Sequence, residues 1–310
     1  MKMKIIYYNG FDLPDEGAAF NAMMPEAEVR KWHAGDHEPA DYALVWKPPI
    51  EMLANRTELK AIFNLGAGVD AMMKMVDQLP TNVPVIRLED AGMAEQMADY
   101  VSSAVLRYYR HLDDYQQQAA HHRWQPKWPD NKKEFTVAVL GLGVLGSVIA
   151  RRLQQLHFPV LGWSRTKKNL DGVICFSGTN ELTTCLAKAR VVVCILPLTP
   201  ETSGILNRTT LSALPKGAYV INVGRGAHVV EEDLLTLLQN AHLAGATLDV
   251  FQTEPLPAAH PFWQQHKVTI TPHISAQTLL DDAYIQIAEK IKHFEKGLPV
   301  TGVIDRSKGY

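Results

Sequence analysis

The sequence has few cysteines, and their placement narrows the range of functions. Only three occur among 310 residues, Cys175, Cys185 and Cys194, each in an apolar or helical context. An odd number at wide spacing matches neither a disulfide framework nor a set of metal ligands. We therefore expect reduced, buried thiols and no metal site.

Long apolar runs and an excess of charge of either sign are also missing. No stretch approaches the roughly 20 apolar residues of a membrane-spanning helix, and the apolar run near the amino terminus is too short for a secretory signal. Lysine and arginine total 31 against 33 for aspartate and glutamate, without a basic stripe that could bind a phosphate backbone. We expect a cytoplasmic protein that binds neither membrane nor nucleic acid.

The length and the apolar pattern predict two α/β domains. A single core usually stops growing near 310 residues, and near-continuous Val/Ile/Leu runs alternating with helical segments are typical of parallel sheets covered on both faces. A helix is predicted at 92–118, an irregular linker at 121–133 and a helical tail at 276–296. Strands are predicted at 5–8, 42–46, 61–65, 85–88, 135–140, 159–163, 190–196, 218–223, 244–250 and 268–271.

A glycine-rich turn follows the strand at 135–140 and opens a helix over 147–155. Its residues are Gly141, Leu142, Gly143, Val144, Leu145 and Gly146. The first glycine permits a tight turn, the second lets the backbone approach a pyrophosphate, and the third lets the helix pack on the strand. The turn is typical of a dinucleotide site, although glycine turns of this kind are also purely structural.

The residues after the strand at 159–163 indicate which dinucleotide is bound. An NAD site places an acidic residue there for the ribose hydroxyls, whereas this chain has Ser164, Arg165, Thr166, Lys167 and Lys168. These groups suit a 2′-phosphate, so NADP(H) is favoured over NAD(H), unless the charges only face solvent. The missing acid also weakens the alternative of a methyltransferase.

Three further residues follow strands and should lie at the carboxyl edge of the sheet, where ligands bind. Arg225 could bind a carboxylate bidentately and polarise a carbonyl. His273 could donate a proton near neutral pH, and Glu254 would stabilise the imidazolium if paired with it. Singly, each has an ordinary structural explanation; together they predict reduction of a 2-oxo acid.

The motifs around these residues resemble the D-2-hydroxyacid dehydrogenase family in order and spacing. They are the glycine turn, Leu196-Pro197-Leu198-Thr199-Pro200-Glu201-Thr202, Asn222-Val223-Gly224-Arg225-Gly226, Asp249-Val250-Phe251-Gln252-Thr253-Glu254-Pro255-Leu256 and Thr271-Pro272-His273-Ile274-Ser275. The likeness covers nearly the whole chain. Gly224 and Ser275-Ala276-Gln277 depart from the family pattern without removing a functional group.

The resemblance implies a fold, a domain division and a homodimer. We expect a Rossmann dinucleotide-binding domain at 103–275 and a smaller flavodoxin-like substrate domain from 1–102 and 276–310, both doubly wound parallel sheets. Arg225, Glu254 and His273 become the catalytic set. Asp249 is expected near the nicotinamide carboxamide, and the cofactor-binding residues also include Leu196, Pro197 and Val223.

Five other segments resemble the branch of the family that reduces glyoxylate to glycolate and hydroxypyruvate to D-glycerate. They are Asp41-Tyr42-Ala43-Leu44-Val45-Trp46, Leu65-Gly66-Ala67-Gly68-Val69-Asp70, Glu95-Gln96-Met97, Trp163-Ser164-Arg165-Thr166 and Gly309-Tyr310. The amides of Ala67 and Gly68 could form an anion-binding concavity for a substrate carboxylate. Trp46 is a candidate wall of the pocket, and Trp124 a candidate dimer contact.

Two alternatives remain open at this point. Another member of the family, such as a phosphoglycerate or lactate dehydrogenase, would use the same three catalytic residues. A nucleotide-sensing binding protein is the alternative from another class, because the C-terminal-binding transcriptional co-repressors use this fold mainly to bind partners. The short termini argue against the second.

Overall fold

Short apolar runs form the strands of two parallel sheets in the computed structural model, which describes residues 2–10 and 16–307. The strands are β1 Met3–Asn9, β2 Ala27–Lys31, β3 Tyr42–Trp46, β4 Ala61–Asn64, β5 Val85–Arg87, β6 Val137–Leu140, β7 Val160–Ser164, β8 Ile174–Ser177, β9 Val191–Cys194, β10 Ala218–Asn222, β11 Leu243–Leu248 and β12 Val268–Ile270. The helices are α1 Glu16–Met23, α2 Asp70–Met73, α3 Met93–Tyr109, α4 Leu112–Ala120, α5 Val144–Gln155, α6 Gly178–Leu186, α7 Arg208–Ser212, α8 Glu231–Gln239 and α9 Leu280–Glu295.

The chain divides into two compact units. The smaller comprises Met1–Gly92 and Thr278–Tyr310, and the larger comprises Met93–Gln277. The boundaries predicted from the sequence are 102/103 and 275/276, so the first differs by ten residues and the second by two. The first differs because α3 contributes its buried face, including Ala98 and Val105, to the core of the larger unit.

The sheet of the smaller unit has the order β2-β1-β3-β4-β5, with every pair of neighbours parallel. This is the flavodoxin-like order, which places its switch point between β1 and β3. Ile6, Val45 and Ile62 lie in a core that α2 and the loops around it complete. The predicted architecture of this unit is confirmed.

The sheet of the larger unit has the order β12-β11-β10-β9-β6-β7-β8, again all parallel. The chain reverses direction across the sheet between β6 and β9, which makes their carboxyl ends the topological switch point of a Rossmann fold. Alternate residues of β6 enter different cores: Ala138 lies in one, and Val137 and Val139 in the other. Helices therefore cover both faces, as the apolar runs predicted.

The structure differs from the predicted elements at four places. The edge strands β2 and β8 were not predicted, because β2 mixes charged with apolar residues and the apolar run of β8 is short and partly exposed. The single helix at 92–118 is wrong: His111 adopts a left-handed conformation, with φ of 55°, and separates α3 from α4. The last helix begins at Leu280 rather than at Ala276.

The cysteines are unpaired, as expected, but they differ in burial. Cys185 and Cys194 are buried, while Cys175 is only partly so. Burial raises the pKa of both buried thiols to about 12. Among the described residues, no helix is both long and apolar enough to cross a membrane.

A buried hydroxyl on α3 provides a test of the larger core. Ser102 is 7% exposed, and its Oγ has no hydrogen-bond partner within the described residues. Ser102→Ala removes an unsatisfied polar atom and improves helix propensity, so we expect the free energy of unfolding in urea to rise by about 1 kcal/mol.

The adjacent Ser103 is the matched control, because it is exposed and its Oγ donates to the carbonyl of Tyr100. Ser103→Ala should change stability by less than about 0.5 kcal/mol. Equal effects of the two substitutions would mean that helix propensity, and not the buried hydroxyl, explains the gain.

Candidate active site

The glycine-rich turn links β6 to α5 at the switch point of the larger sheet. Gly141 has φ of +110°, a conformation that L side chains rarely adopt, and a Cβ there would lie 2.8 Å from the carbonyl oxygen of Ile195. A Cβ on Gly146 would lie 1.8 Å from the carbonyl oxygen of Gly141. Both glycines are therefore required by the packing of the turn itself.

The second glycine of the turn is in a different situation. A Cβ on Gly143 would meet no atom within 4 Å, and Gly143 and Val144 are exposed at the start of α5. Packing does not explain this glycine, whereas a ligand approaching the backbone would. Open space beside a helix amino terminus fits the pyrophosphate of a dinucleotide.

The segment after β7 lies next to this turn. The N–H of Gly141 donates to the carbonyl of Trp163 at 2.8 Å, and the chain turns outward after Ser164, whose Oγ donates to the carbonyl of Thr166. The four residues that follow Ser164 are exposed: Arg165, Thr166, Lys167 and Lys168. Their cationic groups and hydroxyl suit a phosphate better than they suit ribose hydroxyls.

A carboxylate from the loop after β9 interacts with this segment. The pKa of Glu201 is lowered, mainly by a hydrogen bond from Thr199 and in smaller part by the positive charge of Arg165. Glu201 belongs to the loop after β9, which begins with Leu196 and Pro197. The loops after β6, β7 and β9 therefore meet at one edge of the sheet.

Arg225 lies in the loop that follows β10, and its backbone is held on both sides. Its N–H donates to Nδ1 of His228 at 3.0 Å, and its carbonyl accepts from Nδ2 of Asn222 at 2.9 Å. His228 and Asn222 are fully buried, whereas Arg225 is partly exposed. A cation is thus presented at the ligand edge on a fixed backbone.

His273 and Glu254 form the pair that the sequence predicts. Nδ1 of His273 lies 2.8 Å from Oε2 of Glu254, and both side chains are partly exposed. Oε1 of Glu254 also accepts the N–H of Phe251 at 3.0 Å, which fixes the carboxylate. Within the described residues, Nε2 of His273 has no hydrogen-bond partner, so it is the nitrogen that could protonate a substrate.

Asp249 holds the loop that carries His273. Its buried carboxylate accepts Oγ1–H of Thr271 at 2.5 Å and the N–H groups of Ile274 and Ser275 at 2.9 and 2.8 Å. Its carbonyl accepts the N–H of His273 at 2.8 Å. These bonds hold His273 at φ of 57°, a conformation unusual for a residue other than glycine. The role of Asp249 toward a nicotinamide stays a prediction.

The loop after β4 in the smaller unit contains the other predicted substrate contacts. Nδ2 of Asn64 donates to the carbonyls of Gly66 and Gly68 at 2.8 and 2.9 Å. The N–H groups of Ala67 and Gly68 donate no hydrogen bond within the described residues. Trp46 covers this loop closely, because a Cβ on Gly66 would lie 2.3 Å from its ring. The loop could therefore bind an anion.

Several positioning residues were missed by the sequence analysis. Asn64, His228 and Tyr100, whose hydroxyl lies 2.5 Å from Oγ1 of Thr271, all hold functional loops. Asn64 and His228 are polar residues amid apolar surroundings, which is a weak signal. Among residues 2–10 and 16–307, no group of three His, Cys, Asp or Glu side chains could hold a metal ion.

Comparison with known proteins identifies the family. Residues 102–275 match the model of the D-isomer specific 2-hydroxyacid dehydrogenase, NAD binding domain. The chain belongs to this family. The resemblance drawn from its motifs is confirmed, although Gly309-Tyr310 lies outside the described residues.

Similar members of the dehydrogenase family are known in sequence and structure. Glyoxylate/hydroxypyruvate reductase A of Serratia proteamaculans is 49% identical, over 99% of this chain and 100% of its own. A D-isomer specific 2-hydroxyacid dehydrogenase from Xanthobacter autotrophicus, solved with NADPH and MES, has a TM-score of 0.95 at 42% identity. The NADPH-dependent glyoxylate/hydroxypyruvate reductase of Sinorhizobium meliloti, solved with NADP and sulfate, has a TM-score of 0.91 at 34% identity. Each of these two structural alignments covers 100% of this chain and 100% of the solved chain.

The glycines of the dehydrogenase turn can be separated by substitution. Gly146→Ala forces a Cβ into the Gly141 carbonyl, so we expect poorly folded protein or an unfolding free energy lower by several kcal/mol. Gly143→Ala should fold normally but weaken dinucleotide binding by about tenfold or more, because its methyl group occupies the ligand's space.

Thermal unfolding and NADPH fluorescence titration of both variants test this. Unchanged dinucleotide affinity in Gly143→Ala would show that no ligand approaches this part of the turn.

Proposed function

We propose that this protein reduces small 2-oxo acids, converting glyoxylate to glycolate and hydroxypyruvate to D-glycerate, with NADPH preferred over NADH. The observation that carries the proposal is the 2.8 Å pair of His273 and Glu254 in the larger unit, at the sheet edge that also carries Arg225 and the glycine turn. The printed names of the relatives from Serratia and Sinorhizobium support the substrate class.

The dinucleotide is assigned to the carboxyl edge of the larger sheet. We assign its pyrophosphate to the turn from Gly141 to Gly146 and its 2′-phosphate to the segment from Ser164 to Lys168. Leu196, Pro197, Val223 and Asp249 complete the set. The NADPH and NADP in the solved relatives support this choice of cofactor.

The catalytic roles follow from the chemistry of three side chains. NADPH, when bound, supplies the hydride that the keto carbon accepts. The guanidinium of Arg225 binds the substrate carboxylate and polarises the carbonyl oxygen. His273 donates the proton that this oxygen gains, and Glu254 orients the imidazole through its contact with Nδ1.

The loop of the smaller unit is assigned to the substrate carboxylate. The N–H groups of Ala67 and Gly68 are the proposed donors, since Asn64 turns the loop carbonyls toward itself. Trp46 limits the size of the acid that can bind beside this loop. Small acids such as glyoxylate fit this assignment.

We further propose that the protein acts as a homodimer in the cytoplasm. Trp124 and Trp128 are 97% and 93% exposed in the irregular segment after α4. Large aromatic side chains are enriched at protein interfaces. This exposure supports an interface there.

Assay of NADPH oxidation with a panel of 2-oxo acids tests the reaction. We expect wild-type protein to turn over glyoxylate and hydroxypyruvate, and His273→Gln to lower kcat by about 10²- to 10⁴-fold, the usual share of general acid catalysis. NADPH affinity should persist in the variant, because His273 acts on the substrate oxygen.

Three outcomes would contradict parts of the proposal. NADPH binding without turnover of any 2-oxo acid would favour a nucleotide-sensing protein, and preference for a larger acid would indicate another dehydrogenase of the family. Near-normal kcat in His273→Gln would show that His273 is not the proton donor.

Cofactor preference depends on Arg165. Arg165→Ala should weaken NADPH by about tenfold and leave NADH almost unchanged, since a charge-assisted bond to an exposed phosphate contributes at the low end of its range. The loss should shrink at high ionic strength because salt screens exposed charges. The measurement is kcat/KM for both cofactors at two salt concentrations.

Arg151→Ala is the matched control, since it removes an equal charge from an exposed position on α5. Its cofactor ratio should equal that of wild-type protein. If Arg165→Ala weakens both cofactors equally, or if wild-type protein prefers NADH, the assignment of the 2′-phosphate is wrong.

A further inference from the structure

His228 is a fully buried histidine that the proposed mechanism does not use. It ends the short 3-10 helix Gly226–His228, directly after Arg225. Its imidazole lies between the backbones of two different loops. Nδ1 accepts the N–H of Arg225 at 3.0 Å, and Nε2 lies 3.3 Å from the carbonyl oxygen of Pro197.

These two contacts determine the tautomer of the ring. A backbone N–H can only donate, so Nδ1 of His228 must carry a lone pair and no proton. A neutral imidazole then bears its proton on Nε2, the nitrogen that faces the Pro197 carbonyl, which can only accept. The ring therefore satisfies one backbone donor and one backbone acceptor at the same time.

We propose that neutral His228, protonated at Nε2, is a positioning residue that sets the backbone of Arg225 and links it to the loop of Leu196 and Pro197. The inference rests on the proposed function, because it assigns Arg225 to the substrate and Pro197 to the cofactor. His228 touches neither ligand and acts through these two neighbours.

The surrounding contacts keep the imidazole fixed relative to both loops. The carbonyl of His228 accepts the N–H of Leu206 at 2.9 Å, which anchors its backbone. Asn222 donates to the carbonyl of Arg225, so both the N–H and the C=O of Arg225 are held by hydrogen bonds. A shift of the ring would move the guanidinium away from a substrate whose alignment is worth a large factor in rate.

The Pro197 carbonyl has a second donor, which allows the two contacts of His228 to be separated. Oγ1 of Thr202 donates to it at 2.6 Å. Thr202→Val therefore weakens the same point of the cofactor loop without touching Arg225. Because Oγ1 of Thr202 also accepts the N–H of Thr199 at 2.8 Å, this variant tests the loop of Leu196 and Pro197 as a whole, independently of His228.

Three substitutions divide the roles of the ring. In His228→Asn, the amide oxygen lies near the position of Nδ1 and keeps the acceptor for Arg225, but the donor to Pro197 is lost. In His228→Gln, the amide nitrogen can reach the position of Nε2, and the acceptor is lost. His228→Leu fills the space and provides neither group.

The measurements are kcat/KM for glyoxylate at saturating NADPH and the Kd of NADPH. We expect His228→Asn to keep kcat/KM for glyoxylate within about threefold of wild type, and His228→Gln and His228→Leu to lower it about tenfold or more, as for a buried donor left unpaired. NADPH should be weakened in His228→Asn, His228→Leu and Thr202→Val but not in His228→Gln.

Parallel losses of both quantities in all three His228 variants, or losses in none, would overturn the proposal, because a merely structural histidine would not separate substrate from cofactor. Long-range ¹⁵N–¹H spectra of the wild-type imidazole provide a readout independent of folding of the variants. A proton on Nδ1 of His228 would also overturn it.

Failure of the proposed function gives a different result. Wild-type protein would then turn over no 2-oxo acid, while the tautomer of His228 and the pattern of NADPH affinities among the variants would still report whether the ring links the two loops.

Discussion

The buried carboxylate of Asp249 is the interaction on which the position of the proton donor depends. A residue other than glycine in the left-handed region costs of the order of 1–3 kcal/mol. Three hydrogen bonds to an ionised group, each contributing about 1.5–3 kcal/mol, more than offset that cost. His273 is thus held in a conformation it would not choose alone, and that conformation brings Nδ1 to Glu254.

In three loops that carry functional groups, a buried polar side chain holds the backbone in the same way. Asn64 gathers the carbonyls of one loop, Asn222 and His228 hold both polar groups of Arg225, and Asp249 closes the loop of His273. Each holding side chain is buried and bonds to backbone, so the functional residues can remain partly exposed. Rigid support behind an accessible site is what precise substrate alignment requires.

Much of the fold and of the candidate site can be predicted from the sequence. The glycine turn and the residues that follow strands are local features, and parallel topology brings the carboxyl ends of strands together. The edge strand β8 and the break at His111 were not predicted, since the apolar run of β8 is short and partly exposed and a left-handed residue depends on its neighbours. The role of His228 likewise depends on Pro197, which lies 31 residues earlier in the chain.

Gly226 limits how the lengths of two loops can change during evolution. A Cβ there would lie 1.8 Å from the carbonyl carbon of Phe251, so two loop backbones pass with no room for a side chain between them. Insertion of a residue in either loop would displace the other, and with it the cation or the carboxylate partner of the histidine. Evolution of new substrate ranges is therefore confined, in this part of the protein, to exchanges of side chains at constant loop length.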